Sequence, residues 1–391
     1  MASVHPETGD HNDASGRSVP GHNDTANNIV SAYLSKHIPE YKELVKLRRE
    51  GWNNPSADVH FQNERSSADN PTDQQKDRFY RMTCGIGNDL ASFLGSGGLS
   101  LPSPPRRTIL VLDLCMAPGG FSTAVLTHNP NHDVYIHGVT LPVSMGGYQV
   151  RIPNWRSDPR VVDIRFHDVT MLASEVGITP DQIPASHPDK HSFITTPLFS
   201  DQQKFDIIFC GGTVVRNHTQ SQSYQSYRQG KEGARLLTSQ LVMAMNRIRP
   251  GGTMVIVLHR ADAWTTVALF HRFSKFSDVS KMRLFKSNKA HARKGSFYLV
   301  VSGVDPETME AQKSVDEWRR QWMAASMLNT DTCHDSVGGD EGDADEEASR
   351  NAEAVLEEFG PQLIQLTRPV FKIQADALRK APWAGSSTRA G

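Results

Sequence analysis

The chain has 391 residues, enough for one large domain with extensions. Its 42 basic and 43 acidic residues leave a net charge of −1, which excludes a global basic field for nucleic acid but leaves room for a local patch. No apolar run approaches the roughly 20 residues of a membrane span, and residues 1–28 lack the apolar core of a secretory signal.

These absences imply a soluble, intracellular protein with no membrane partner; neither compartment nor oligomeric state is specified. The cysteines Cys84, Cys115, Cys210 and Cys333 form no CxxC pair and no metal-ligand spacing with histidine, so no metal site is expected. In chain order, residues 1–28 are rich in Asp, Asn, His, Ser and Gly and read as a disordered tail. A helical extension and linker follow over 29–100. Ile29 to Glu50 carries helically spaced apolar residues interrupted at Pro39, Asn53 to Gln75 is polar and loop-like, and Gln75 to Leu94 is helical but weakened by Gly85 and Gly87. Gly95 to Pro105 is a Gly/Ser/Pro linker.

Strands and helices then alternate. Ile109 to Leu112 is short, apolar and β-prone, as suits a buried parallel strand. Strands are expected at Val134–Leu141, Val161–Phe166, Phe205–Cys210, Thr253–Leu258, Met282–Lys286 and Ser296–Ser302. Helices are expected at Leu236–Ile248 and Thr265–Phe276. The alternation predicts an α/β fold, a mostly parallel, doubly wound sheet. Pro180 to Lys204 is too long and too Pro/Ser-rich for an ordinary connection and reads as an insertion, either a lid or a surface loop. Beyond the sheet, 306–328 is helical, with Trp318 and Trp322 on a continuous apolar stripe that indicates core packing rather than base stacking. Residues 330–349 form an acidic linker. A helical C-terminal extension occupies 352–391, broken at Gly360-Pro361 and Pro369.

The run Val111-Leu-Asp-Leu-Cys-Met-Ala-Pro-Gly-Gly-Phe-Ser122 has the form of a nucleotide-cofactor loop. Asp113 sits where the strand ends, Pro118-Gly119-Gly120 turns the chain sharply, and Phe121 to Leu126 starts a helix whose N-terminal N–H groups are unpaired. In open α/β sheets ligands bind at the carboxyl ends of the strands, where this turn falls. An ordinary strand–turn–helix gives the same local pattern. The full string closely resembles the first motif of the FtsJ-like methyltransferases, which bind S-adenosylmethionine and methylate ribose 2′-hydroxyls of RNA. Phe205 to Thr213, Ile248 to Ile256 and Lys286 to Gly303 resemble the family's later motifs in order and spacing, so the likeness spans 104–303.

The resemblance implies a Rossmann-like methyltransferase sheet and S-adenosylmethionine as cofactor, held by Asp113, Ala117, Pro118, Gly119, Gly120 and Phe121. Thr140 stands where such sites usually carry an acid for the ribose hydroxyls. Asp168 stands where an acceptor for the adenine amino group is expected, or else serves as a turn cap. The acceptor implied is an RNA ribose or a small-molecule hydroxyl.

The family's catalytic set is Lys-Asp-Lys-Glu. Here Gly211 holds the aspartate position, Val257 the second lysine and Ser296 the glutamate, while Lys76 and Arg81 are both candidates for the first lysine. A general base supplies about 10²–10⁴-fold, so ribose methylation by the usual route should be severely impaired. Either another group takes the proton, His259 beside Arg260 and Asp262 being the natural substitute, or the chain is a non-catalytic cofactor-binding or scaffold protein. Lys286, Lys289, His291, Arg293 and Lys294 form a basic cluster near the same edge, suited to phosphates or merely solvated.

Overall fold

A computed structural model of the chain describes residues 24–69, 71–95, 99, 108–130, 133–215, 226–327 and 341–384. The expected disorder of residues 1–28 and the acidic linker of 330–349 fall largely outside these. Where they overlap they are corrected, because helices already begin at Asp24 and Glu341.

Among the described residues four helices precede the sheet: α1 (Asp24–His37), α2 (Pro39–Trp52), α3 (Pro55–Asp69) and α4 (Asp73–Leu94). Pro39 separates the first two without breaking either, because proline at the first helical turn loses no hydrogen bond. The same rule explains α3, which occupies the segment expected to be loop; Pro55 opens it and Asn54 Oδ1 accepts from Ser56 N–H at 3.0 Å. Helix α4 is closed by a reciprocal cap in which Thr72 and Gln75 each satisfy the other's backbone.

The strands are β1 (Ile109–Leu114), β2 (Val134–Thr140), β3 (Val161–Phe166), β4 (Phe205–Cys210), β5 (Ile248–His259), β6 (Arg283–Phe285) and β7 (Ser296–Val304). Among the described residues they form one sheet in the order β3-β2-β1-β4-β5-β7-β6, all parallel except β7, which runs antiparallel to both neighbours. The order reverses between β1 and β4. At that point the two crossovers leave in opposite directions and a crevice opens at the strands' carboxyl ends. Strand β5 starts five residues earlier than its apolar run, because Ile248 pairs with Phe205 and the register then shifts across Pro250-Gly251-Gly252.

Helix α5 (Gly120–His128) and α4 cover one face of the sheet through Ile86, Leu90, Val125 and Leu126. The one-turn α6 (Ala173–Val176), α7 (Glu232–Arg247), α8 (Trp264–Lys275), α9 (Met309–Ser326) and α10 (Glu341–Arg379) pack with α1 and α2 on the other. Both tryptophans of α9 are core residues. Helix α10 runs straight through Gly360-Pro361 and Pro369, where breaks were expected. Interior proline costs ~3 kcal/mol, but Leu356, Phe359, Leu363, Val370 and Phe371 form a continuous buried stripe that holds the helix together. Gly360 belongs to that packing, since a Cβ there would stand 2.2 Å from the Tyr33 hydroxyl.

The 180–204 insertion is a surface segment anchored to the core at a few points. Ile183, Phe193 and Phe199 are buried in the main core, and the His187 Nε2 lies 2.8 Å from the Ser326 carbonyl.

Candidate functional site

The loop after β1 is fixed almost entirely by its own chain. Asp113 is buried, and Ser122 Oγ donates to its Oδ2 at 2.6 Å, tying the strand end to the start of α5. Burial raises the Asp113 carboxyl to about 7, against the opposing pull of the Ser122 hydrogen bonds. The Ala117-Pro118 peptide is cis, and the Pro118 carbonyl accepts from Arg151 N–H at 3.0 Å. Gly119 has φ of 101°, which a side chain rarely adopts, and a Cβ there would lie 2.4 Å from Ile152. At Gly120 a Cβ would meet the Thr83 side chain at 2.2 Å and its backbone at 2.5 Å. Both glycines are thus required by close packing of the protein against itself. A bulky residue at Gly119 would strain the loop whether or not a ligand lies beside it, so cofactor loss in such a variant would not isolate the ligand contact.

A cleft opens at the switch point between the carboxyl ends of β1, β2 and β4 and the turn after β3. Cys115, Ala117, Thr140, Tyr148, Asp168 and Glu232 are among its walls, with Leu141, Val169, Val214 and Leu236 supplying apolar surface. Its space totals ≈ 530 Å³ with the mouth included. Of the residues expected at the cofactor, the structure brings Ala117, Thr140 and Asp168 to this cleft. Asp113, Pro118, Gly119 and Gly120 support it from behind. Phe121 turns toward the sheet, stacking on Phe209 (centroids 5.3 Å) and meeting Tyr298 edge-on.

Thr140 Oγ1 accepts from the Ala117 N–H at 3.2 Å, so its lone pair steadies the loop. Asp168 caps the turn behind it: its Oδ1 accepts from Thr170 N–H (3.0 Å) and Thr170 Oγ–H (2.8 Å). Its Oδ2 accepts from Arg228 Nη2 at 2.7 Å. The capping and the cleft-lining roles coexist.

Arg228, Glu232 and Arg235 are the residues that the sequence reading missed. Arg228 and Arg235 both donate to Glu232, and all three are buried. Their spacing is the available signal, since opposite charges at i, i+4 and i, i+3 across a helix start can pair.

The far rim is built differently. His259, exposed at the end of β5, stands opposite Ser296 in the register, with its Nδ1 3.0 Å from Ser296 Oγ. Arg260 adopts φ of 50° and donates its N–H to the Gly295 carbonyl. Asp262 is not a rim acid. It is buried, paired with Arg48 of α2 at 3.0 Å, and accepts from the Tyr41 hydroxyl at 3.2 Å. Burial, with Asp262 adding to it, pushes that hydroxyl up to about 12.

Lys286 leaves the expected basic cluster as well. Its ammonium is buried and donates to the carbonyls of His291, Lys294 and Ser296 at 3.2, 2.6 and 2.7 Å, closing the loop before β7. Burial, then the charge of Arg48, lowers it to about 7. Lys289 remains exposed. Val257 lies half-buried beside Tyr298, and Lys76 pairs with Asp73 at the start of α4 while Arg81 is exposed. Where the resemblance places charged groups there is instead an apolar cluster of Val257, Phe121, Phe209 and Tyr298.

The model of the FtsJ-like methyltransferases matches residues 99–304, more than half of the chain. The chain belongs to the FtsJ-like methyltransferase family. Its cofactor is accordingly S-adenosylmethionine. Among solved structures it is similar to a putative ribosomal RNA methyltransferase from Plasmodium falciparum (15% identity, 56% of this chain and 92% of that one, TM-score 0.32). It is also similar to human methyltransferase-like protein 13 in complex with SAH (12% identity, 65% and 95%, TM-score 0.29). These are likenesses of architecture alone. Among curated proteins, none matches the chain.

The donor set of the cleft fits an adenosyl group. It offers a buried carboxylate at Asp168, apolar walls for a base, and the hydroxyls of Thr140 and Tyr148. No described helix is long and apolar enough to cross a membrane.

Proposed function

We propose that this FtsJ-like protein binds S-adenosylmethionine in the switch-point cleft and methylates a hydroxyl, an RNA ribose 2′-O by descent or that of a small molecule, without the family's Lys-Asp-Lys-Glu set. The observation that carries the reading is Asp168, a buried carboxylate on the cleft wall at the end of β3. Asp168 would accept from the adenine amino group, with Ala117 and Thr140 forming the opposite wall and Asp113 holding the loop through Ser122. The bound cofactor supplies the electrophilic methyl.

His259 serves as the base in this reading. In the tautomer whose Nδ1–H donates to Ser296 Oγ (3.0 Å), Nε2 is the nitrogen that would take the acceptor's proton. A screen of RNA and hydroxylated small molecules with labelled cofactor tests the reading. Once an acceptor is found, His259→Ala should slow transfer about 100-fold with cofactor affinity unchanged. Full activity in that variant removes His259 from the mechanism.

The apolar cluster at the tetrad positions favours a second reading, a cofactor-binding scaffold that docks partners through its terminal helices. Cofactor binding without transfer to any acceptor in the screen selects it.

A further inference from the structure

Asp168 and Glu232 both face the cleft, and neither is reached by solvent to more than a few per cent of its surface. Two carboxylates buried together repel, and one takes up a proton unless a cation lies between them. Arg228 is that cation. Its Nη2 donates to Asp168 Oδ2 (2.7 Å), to Thr170 Oγ1 (2.9 Å) and to Glu232 Oε1 (2.7 Å), and its Nε donates to Glu232 Oε2 (3.0 Å). Arg235 Nη1 also donates to Glu232 Oε2 (3.1 Å), so two guanidiniums stand against these two carboxylates. Of the other titratable wall residues, Cys115 has its thiol pushed far up by burial and the nearby Asp168 and Asp113 charges, and burial raises the Tyr148 hydroxyl as well, so neither brings a charge.

Only the acids line the cleft, while Arg228 is 1% exposed and does not. It arrives on a separate short turn, Ser226–Arg228, ahead of α7. An ordinary helix cap at Asp168 needs only the Thr170 contacts. The guanidinium adds charge and a fixed plane, which a cap does not need but a ligand-accepting carboxylate does.

We infer that Arg228 is a positioning residue that holds the Asp168 carboxylate ionised and oriented to read the amino group of the cofactor's adenine. The inference rests on the cofactor reading above. Arg228 itself touches no ligand and acts through Asp168. A purely structural Arg228 would, when removed, weaken every ligand of the cleft alike. A positioning Arg228 would affect ligands according to whether they carry the amino group.

The test compares S-adenosylhomocysteine with its deaminated analogue, S-inosylhomocysteine, by titration calorimetry of the full chain at pH 6 and pH 8. The parent chain should prefer the amino form about tenfold or more, the size of one hydrogen bond to a charged group. The preference should be the same at both pH values. In Arg228→Met the preference should collapse toward unity. Any that remains should be smaller at pH 6, where Asp168 beside Glu232 takes up a proton.

Arg228→Lys keeps the charge without the fork and should retain part of the preference, which keeps the test decisive if Arg228→Met does not fold. Equal weakening of both ligands, or full preference and an unchanged pH profile in Arg228→Lys, overturns the positioning role while leaving the cofactor reading intact. A parent chain that binds neither ligand overturns the cofactor reading and this inference with it.

Discussion

The two ends of the sheet's carboxyl edge are built from opposite materials. Around β1, β2 and β4, buried polar groups converge on a cleft: Asp168, Glu232 and Thr140 on the walls, with Asp113 and Arg228 behind them. Toward β5 and β7, Val257 packs in an apolar cluster with Phe121, Phe209 and Tyr298, Ser296 pairs with His259, and the nearby charges have structural duties. Asp262 anchors α2 through Arg48, and Lys286 closes a loop on three carbonyls. Burying polar groups is costly unless they are paired. On the reading proposed above, the paired polar side would hold the cofactor and the apolar side would lack the family's means of activating a hydroxyl.

The largest effect that would sharpen this contrast lies at the rim. If Asp262 is an anchor, Arg48→Met leaves a buried carboxylate without its cation and should cost about 3–5 kcal/mol in urea unfolding. A loss below ~1 kcal/mol would instead describe an acid in contact with water, available to a substrate.

On the cleft side, Asp113 supplies a pH signature. Its folded pKa of about 7 lies above the ordinary carboxyl value of 3.8, so the folded chain holds the extra proton between them. Stability at this site is therefore full at low pH and is lost as pH rises from about 4 to about 7. Asp113→Asn should remove that decline, gaining on the parent by up to about 4 kcal/mol across the window. Denaturant titrations at several pH values measure it, and a parallel pH profile in the two proteins would place Asp113 in contact with solvent.

A smaller effect separates loop packing from ligand contact. Gly120→Ala sets a methyl against Thr83 and should destabilise the chain by about 1–3 kcal/mol with no cofactor present. Unchanged thermal unfolding would show that α4 yields at that point.

The order of strands and helices through the sheet was legible in the sequence, because apolar period and turn residues agree there; β3 and β4 fall on their apolar runs. The terminal helices were less so. Pro361 and Pro369 are local helix breakers outweighed by a buried stripe that only tertiary packing supplies, and the polar residues of α3 carry no periodic signal. At the site, the motif led to Ala117, Thr140 and Asp168. The motif marks Gly119 and Gly120 as ligand-side residues; that Ile152 and Thr83 also require glycine there is not legible, because those contacts join segments distant in sequence. Arg228 was missed for the same reason, since its partner Asp168 lies 60 residues away.

If the cofactor half of the edge works without the tetrad, the chain binds S-adenosylhomocysteine and does so through Asp168. Titration calorimetry of S-adenosylhomocysteine into the full chain, beside Asp168→Ala, decides this. Saturable binding at one site per chain is expected, weakened about tenfold or more by the substitution. No binding to the parent chain, or equal binding to both proteins, would refute it.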